Sequence, residues 1–154
     1  MLDIYDEFRR LVEALDQGEV DYALCGGMAL AVHGSPRATI DIDLLVLSES
    51  LDKILSLARD LGYAIRGKDL TFAGGAIEIR RVSKIDRESG DLLSLDLVLV
   101  TPEIQAVWAT RFRTDWENRS LSVVSRDGLI ALKRLRSSGQ DLDDIEKLQS
   151  GRSE

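Results

Sequence analysis

The sequence holds one cysteine, Cys25, one histidine, His33, and two prolines, Pro36 and Pro102, in 154 residues. A lone cysteine forms no intramolecular disulfide, and without Cys or His companions at ligand spacing it starts no zinc site. Its expected role is packing. With no proline- or glycine-rich tract, no repeat and no low-complexity stretch, nothing marks a linker, so residues 1–154 are expected to form one domain. No apolar run approaches the roughly 20 residues needed to cross a bilayer. The start, Met1-Leu2-Asp3-Ile4-Tyr5-Asp6-Glu7, lacks the basic head and long apolar stretch of a secretory signal, so the expected compartment is the cytoplasm, with no membrane partner. A basic surplus is missing too. Twenty Lys and Arg against 27 Asp and Glu leave a net charge of -7, which argues against a broad hold on a polyanion. Only local clusters remain to meet phosphate: Arg80-Arg81, Arg111 with Arg113, and Lys133-Arg134 with Arg136.

What is present is an alternation of helical and strand patterns. Ile4, Tyr5, Phe8, Leu11, Val12 and Leu15 recur at helical spacing and Gly18 follows as a stop. Val20 to Cys25 reads as a short buried strand, Gly26-Gly27 as a turn, and Met28 to Val32 as a short helix ending near Gly34. A second strand is expected from Ile40 to Leu47, then a helix capped by Ser48 or Ser50 that carries Leu51, Ile54, Leu55, Ala58 and Leu61. Strands follow at Leu70 to Ala73, Ala76 to Val82 and Leu92 to Val100, with Ser83 to Asp91 as the loop between the last two. Thr101-Pro102 opens a short helix through Val107. Leu121 to Val124 is a further strand, and helices follow from about residue 126, one capped by Ser125 and a last one capped by Asp141. The class expected is α/β, or α+β.

Three acids stand where acids are costly. Asp41 and Asp43 interrupt an apolar strand, and residues two apart share one face at roughly 6 to 7 Å, a spacing that lets both hold a hard cation. Asp96 sits within Leu92 to Val100, where an ionised carboxylate needs a cation or several donors. If its strand lies beside that of Asp41 and Asp43, the three converge, and a divalent ion turns their repulsion into a binding site. Such a site suits phosphoryl or nucleotidyl transfer, in which metal activates a hydroxyl and stabilises phosphate oxygens. Gly26 and Gly27 lack the side chains that would keep a phosphate away from the backbone.

Gly26-Gly27-Met28-Ala29-Leu30, His33-Gly34, Arg37-x-Thr39 and Asp41-Ile42-Asp43 together resemble the nucleotidyltransferase superfamily of the DNA polymerase beta type. They look most like its AbiEii-type toxin and minimal nucleotidyltransferase branches. Asp127-Gly128-Leu129-Ile130-Ala131-Leu132-Lys133 and Asp141-Leu142-x-Asp144-Ile145 are similar to the carboxy-terminal helices of that branch, so the resemblance spans about residues 22 to 148. It implies the nucleotidyltransferase fold, a mixed central sheet flanked by helices, with Mg²⁺ or Mn²⁺ on the catalytic and metal-binding trio Asp41, Asp43 and Asp96, and transfer of a nucleoside monophosphate from an NTP such as ATP. It further implies nucleotide contacts from Gly26, Gly27, Arg37 and Lys133. Relatives modify tRNA ends, proteins or antibiotics, and some toxins are neutralised by an antitoxin, so a tRNA or protein acceptor and an antitoxin partner are the expectations. Gln140 departs from the pattern, because relatives often place a basic residue before the aspartate.

Plainer readings stand beside these. Asp96 can instead form an ion pair with Arg37 or Arg80, and Glu78 is the reserve third acid. The glycines can serve only a tight turn, Lys133 can be a surface lysine on an amphipathic helix, and His33 can cap or pack near a helix end. Asp141 and Asp144 fit a helix cap and a first-turn acid. The whole chain can also be an interaction module that keeps the fold without turnover, or a transferase acting on an antibiotic.

Overall fold

In the computed structural model, which describes residues 2–150, helix α1 (Ile4–Gln17) is capped by Asp3, whose carboxylate accepts from the amides of Tyr5 and Asp6. That bond satisfies amides a helix leaves unpaired at its start. Phe8, Leu11, Val12 and Leu15 form its buried stripe. Strand β1 (Ala23–Cys25) passes into α2 (Gly26–Val32), and β2 (Asp41–Val46) follows. Ser50 stands before α3 (Leu51–Asp60), but neither it nor Ser48 makes a side-chain cap bond there.

Two short strands, β3 (Ile65–Arg66) and β4 (Leu70–Phe72), pair successively with the long β5 (Ile77–Ile85). Strand β5 turns back into β6 (Leu92–Leu99), so the hairpin loop begins later than the sequence pattern suggested. A 3-10 turn opened by Pro102 leads into α4 (Gln105–Ala109). Strands β7 (Phe112–Trp116) and β8 (Arg119–Val123) form a second hairpin, followed by α5 (Arg126–Arg136) and α6 (Gly139–Ser150).

The strands make one mixed eight-stranded sheet in the order β3-β5-β6-β2-β1-β8-β7, with β4 beside β3 on the outer edge of β5. Strand β2 runs parallel to β6 and β1 parallel to β8, while the other pairings are antiparallel. Both faces are covered. Helix α1 packs on β2 and against α3, and its Glu7 reaches Lys84 of β5 at 2.6 Å. On the opposite face α5 contacts α2, α4 and α6. Sheet burial on both sides explains why β2 and β6 read as nearly continuous apolar runs rather than alternating ones. The buried residues form one cluster that draws on every part of the chain from α1 to α6.

Ser125 caps α5 as expected, accepting from the Gly128 amide. The last helix starts earlier than expected. Asp141 does not cap it; Ser138 does, taking the Asp141 amide at 3.0 Å while the Asp141 carboxylate accepts from the Ser138 amide and hydroxyl. This reciprocal pair satisfies two helix-start amides at once, so the acid belongs inside the first turn. No helix among the described residues is long and apolar enough to cross a membrane.

Candidate active site

Because β2 and β6 are parallel and in register, Asp43 lies directly beside Asp96, and Asp41 lies one step along the same face beside Ser94. The register between β6 and β5 then sets Arg81 beside Asp96. Asp43, Asp96 and Arg81 thus form a row across three adjacent strands. Asp43 is 7% exposed and Asp96 1%.

The two buried carboxylates differ in how they are held. Arg81 Nε and Nη2 donate to Asp96 Oδ1 and Oδ2 at 2.6 and 2.8 Å, a bidentate pair of the strongest hydrogen-bonding type. Asp41 and Asp43 have no side-chain donor among the described residues; Thr39 Oγ1 bonds only the backbone of Asp41. Burial pushes the Asp43 carboxyl up to about 7, helped by the negative charge of Asp96 and then of Asp41. Asp41 is raised as well, first by burial and then by Asp96. This is uncompensated negative charge of the kind a divalent cation relieves. Among the described residues no three Asp, Glu, His or Cys are drawn into a ready metal cage. Asp41 and Asp43 therefore fit a hard cation as donors, whereas Asp96 is already committed to a guanidinium.

Glu78, the reserve acid, is not on this face. It is an odd number of residues from Arg81 along β5 and turns the other way, where it accepts from Thr71 and Arg80. The same parity explains why Arg80 does not pair with Asp96 and its chain neighbour Arg81 does. Arg37 is engaged elsewhere too.

Gly26 has φ +67°, and a Cβ there would lie 2.1 Å from Asp43 Oδ2. A Cβ on Gly27 would meet Thr39 Oγ1 at 3.0 Å and Arg37 Nη1 at 3.1 Å. The glycine turn thus packs directly on the side chains of the acidic strand. Between them opens a cleft of about 330 Å³ lined by Gly26, Gly27, Arg37, Thr39, Ile40, Asp41, Asp43, Lys133 and Arg136, and by Ser138, Gln140 and Asp141. A small pit of about 30 Å³, walled by Cys25, Ile77, Val98, Leu129 and Leu132, adjoins it beneath Asp43.

Lys133 is no surface lysine. It is 4% exposed and donates to Asp144 Oδ2 at 2.9 Å, while Arg37 Nε and Nη2 grip both oxygens of the same Asp144 at 2.9 Å. Gln140, where a basic residue was looked for, adds a bond at 3.0 Å. Burial alone would raise the Asp144 carboxyl, but the bonds from Arg37, Lys133 and Gln140 outweigh it and hold it below the usual range. Asp144 is thereby the hub that ties α6 to α5 and to the loop before β2. Arg136 stands out in the sequence only as part of a basic cluster. It lines the cleft over the Phe72 ring at 5.2 Å, forms no ion pair among the described residues, and its charge is felt by both Asp41 and Asp43. His33 Nε2 donates to the Val124 carbonyl at 2.9 Å, closing α2 onto the end of β8 outside the cleft.

No curated protein matches the chain in sequence. In fold it is similar to the lincosamide antibiotic adenylyltransferase LnuA, in a lincomycin-bound crystal structure, at 20% identity and a TM-score of 0.60 over 94% of this chain and 96% of that one. The antibiotic-resistance factor ANT(2'')-Ia matches at 15% identity and a TM-score of 0.65 over 96% and 88%. JHP933 from Helicobacter pylori matches at 15% and 0.57 over 94% of this chain and 63% of its own. These likenesses concern the fold. The sequence profile of the AbiEii nucleotidyl transferase toxins of type IV toxin–antitoxin systems matches residues 9–136, and the chain therefore belongs to that nucleotidyltransferase family.

Proposed function

We propose that this nucleotidyltransferase transfers a nucleoside monophosphate from an NTP to an acceptor hydroxyl with the help of a divalent ion, Mg²⁺ or Mn²⁺, and acts as the toxin of a toxin–antitoxin pair. The observation that carries the reading is the register that sets Asp43 beside Asp96, with Asp41 on the same face, and Asp41 and Asp43 lining a glycine-edged cleft.

Asp41 and Asp43 would hold the ion, which supplies charge stabilisation at the phosphate oxygens and the leaving pyrophosphate. Asp96, at the next strand, faces the acceptor and takes the proton of its hydroxyl as that oxygen bonds the α-phosphorus. The bond from the α-phosphorus to the bridging oxygen breaks, and pyrophosphate leaves with its electron pair. Gly26 and Gly27 keep the cleft floor low, so the triphosphate can approach the backbone. Arg136 is assigned to the phosphates because its charge is uncommitted. Arg37 and Lys133 line the same cleft, but through Asp144 they chiefly set the position of α6 and so reach the nucleotide with only part of their donor capacity.

A tRNA or protein acceptor is favoured by the family. A small-molecule acceptor is the second reading, supported by the fold likeness to antibiotic-modifying adenylyltransferases and by the net charge of -7, which disfavours a large polyanion. Incubation with each labelled NTP, Mg²⁺ and, in parallel, total tRNA, cell extract protein, or aminoglycosides and lincosamides distinguishes them by where the label ends. Label on no acceptor, with NTP bound, would point to an interaction module without turnover.

A further inference from the structure

Two-metal phosphoryl-transfer sites place their ions about 3.5 to 4 Å apart on shared carboxylates. In this protein the third carboxylate already has a cation on it. We propose that Arg81 is the built-in second cation of this site, so that the row Asp41, Asp43, Asp96 takes one divalent ion, which Asp41 and Asp43 would hold, rather than two. This rests on the metal-dependent reading above.

Arg81 occupies the place by construction. Register sets it beside Asp96, and its fork engages both carboxylate oxygens at 2.6 and 2.8 Å. Its stem is fenced by Gly67, where a Cβ would come within 3.2 Å of Arg81 Cγ and 3.3 Å of its Cβ and Cδ. Its backbone carbonyl accepts from the Gly67 amide at 2.9 Å and from Arg66 Nη1 at 3.0 Å. The turn after β3 is therefore folded down over this one side chain, and the absence of a side chain at residue 67 makes the room. Withdrawing Arg81 would leave Asp96, 1% exposed, without its ion-pair partner, a costly state for a buried carboxylate.

The electrostatics follow. A carboxylate offers about four lone-pair positions, and the guanidinium takes two. Asp96 can thus still accept a hydrogen bond from an acceptor hydroxyl, but its charge is already balanced. A second divalent ion at Asp96 would face the fixed guanidinium at close range, and like charges in a partly desolvated site repel strongly. Arg81 acts through Asp96 and is a positioning residue, not one that meets the substrate.

The test counts ions on the full chain, using Mn²⁺ alone and electron paramagnetic resonance. The wild-type protein is expected to bind one Mn²⁺ per chain with no spin coupling, and Arg81→Lys, which keeps the charge, to do the same. Arg81→Gln should gain a second Mn²⁺, bound at least tenfold tighter than any second ion on the wild type and spin-coupled to the first. Two coupled ions on the wild-type chain, or only one on a folded Arg81→Gln, overturns the proposal. If Arg81→Gln does not fold, the wild-type count decides alone. Mn²⁺ retained by the Asp43→Asn variant, or no Mn²⁺ on any variant, overturns the metal reading itself and this proposal with it. One ion on the wild type and two on Arg81→Gln upholds both.

Discussion

A Cβ added to Gly26 would lie 2.1 Å from Oδ2 of Asp43, so the first glycine of the turn and the second aspartate of the strand are a single steric unit. Residue 26 has a positive φ and faces a rigid, buried partner. Gly26→Ala must either strain the backbone or push the carboxylate out of its row. It is expected to destabilise the fold by about 1 to 3 kcal/mol and to abolish transfer. Thermal unfolding together with a transfer assay checks both. A variant with wild-type stability and activity would break the steric link.

Gly27 behaves differently, because its neighbours are the side chains of Thr39 and Arg37. Gly27→Ala should fold with a cost of about 1 to 2 kcal/mol, because Thr39 Cβ at 3.1 Å and an Arg37 already held by Asp144 have to shift by a few tenths of an ångström. Gly27→Val, with a branched side chain in the cleft, should weaken NTP binding more than folding. Nucleotide titration set against a melting curve separates the two. Normal NTP binding by Gly27→Val would remove this glycine from the phosphate path.

The Asp43 carboxyl gives a pH signature in the metal-free protein. Its folded-state value, about 7, lies above the ordinary 3.8, so the folded state binds the extra proton between those limits. The group therefore penalises folding fully above about pH 8, and the penalty shrinks as pH falls through 7 and is gone below 4. The gap between 3.8 and about 7 corresponds to roughly 4 kcal/mol at most. In chelator, Asp43→Asn should be more stable than wild type at pH 8, keep less than half of that advantage at pH 5 and lose the rest below pH 4. Denaturant melts at the two pH values measure it; an advantage that grows on acidification contradicts the assignment.

Much of this arrangement is legible in the chain. The spacing of Asp41 and Asp43, the glycine pair and the acid inside an apolar run together point to three carboxylates on neighbouring strands. What the pattern does not give is parity across the β5–β6 hairpin. The loop is expected from Ser83, whereas pairing continues to Ile85 and Leu92, and only that register shows Arg81, not Arg80 or Arg37, opposite Asp96. Strand β7 escapes the pattern for a related reason. Phe112 to Trp116 is largely exposed and carries Arg113 and Asp115, and its hairpin turns on Glu117-Asn118, both at positive φ without a glycine. A half-solvated edge strand with an atypical turn carries little hydrophobic signal. In the sequence Lys133 reads as a nucleotide contact or a surface lysine and Asp144 as a first-turn acid, because their burial against each other depends on α5, α6 and Arg37 meeting in three dimensions.

That meeting point makes a separate prediction. Asp144 is fully buried and holds Arg37, Lys133 and Gln140. Removing the hub takes the shared carboxylate from Arg37 and Lys133 and leaves only Asp141, 3.8 Å from Lys133, as a counter-charge, so Asp144→Ala should cost about 3 to 5 kcal/mol. Lys133→Met keeps the Arg37–Asp144 pair and fills the space with an apolar chain, so it should cost clearly less. The comparison is made by denaturant unfolding of the two variants. Equal and small losses would show that the hub is not what fastens α6.

The last prediction separates the third acid of the row from the phosphate side of the cleft. Asp96 is placed to act on the acceptor and Arg136 on the phosphates, so their variants should fail in different kinetic terms. Asp96→Asn removes an interaction realised in the transition state, and it should lower kcat by about a hundredfold or more while NTP affinity changes far less. The substitution leaves Arg81 beside a neutral amide, so a loss of stability accompanies it and must be measured alongside. Arg136 lies over Phe72 with no ion pair among the described residues, and Arg136→Ala should leave the fold nearly intact. It should raise the KM for NTP by about tenfold, the loss of one charge-assisted phosphate contact. Glu78→Gln, on the opposite face, should affect neither term. Steady-state kinetics with varied NTP, run on variants first shown to be folded, decides the assignment. A collapse of kcat with Glu78→Gln and none with Asp96→Asn would remove Asp96 from the catalytic face and move the third-acid role to Glu78. An unchanged KM with Arg136→Ala would return the phosphate role to Arg37 and Lys133, whose remaining donors would then have to serve Asp144 and the nucleotide together.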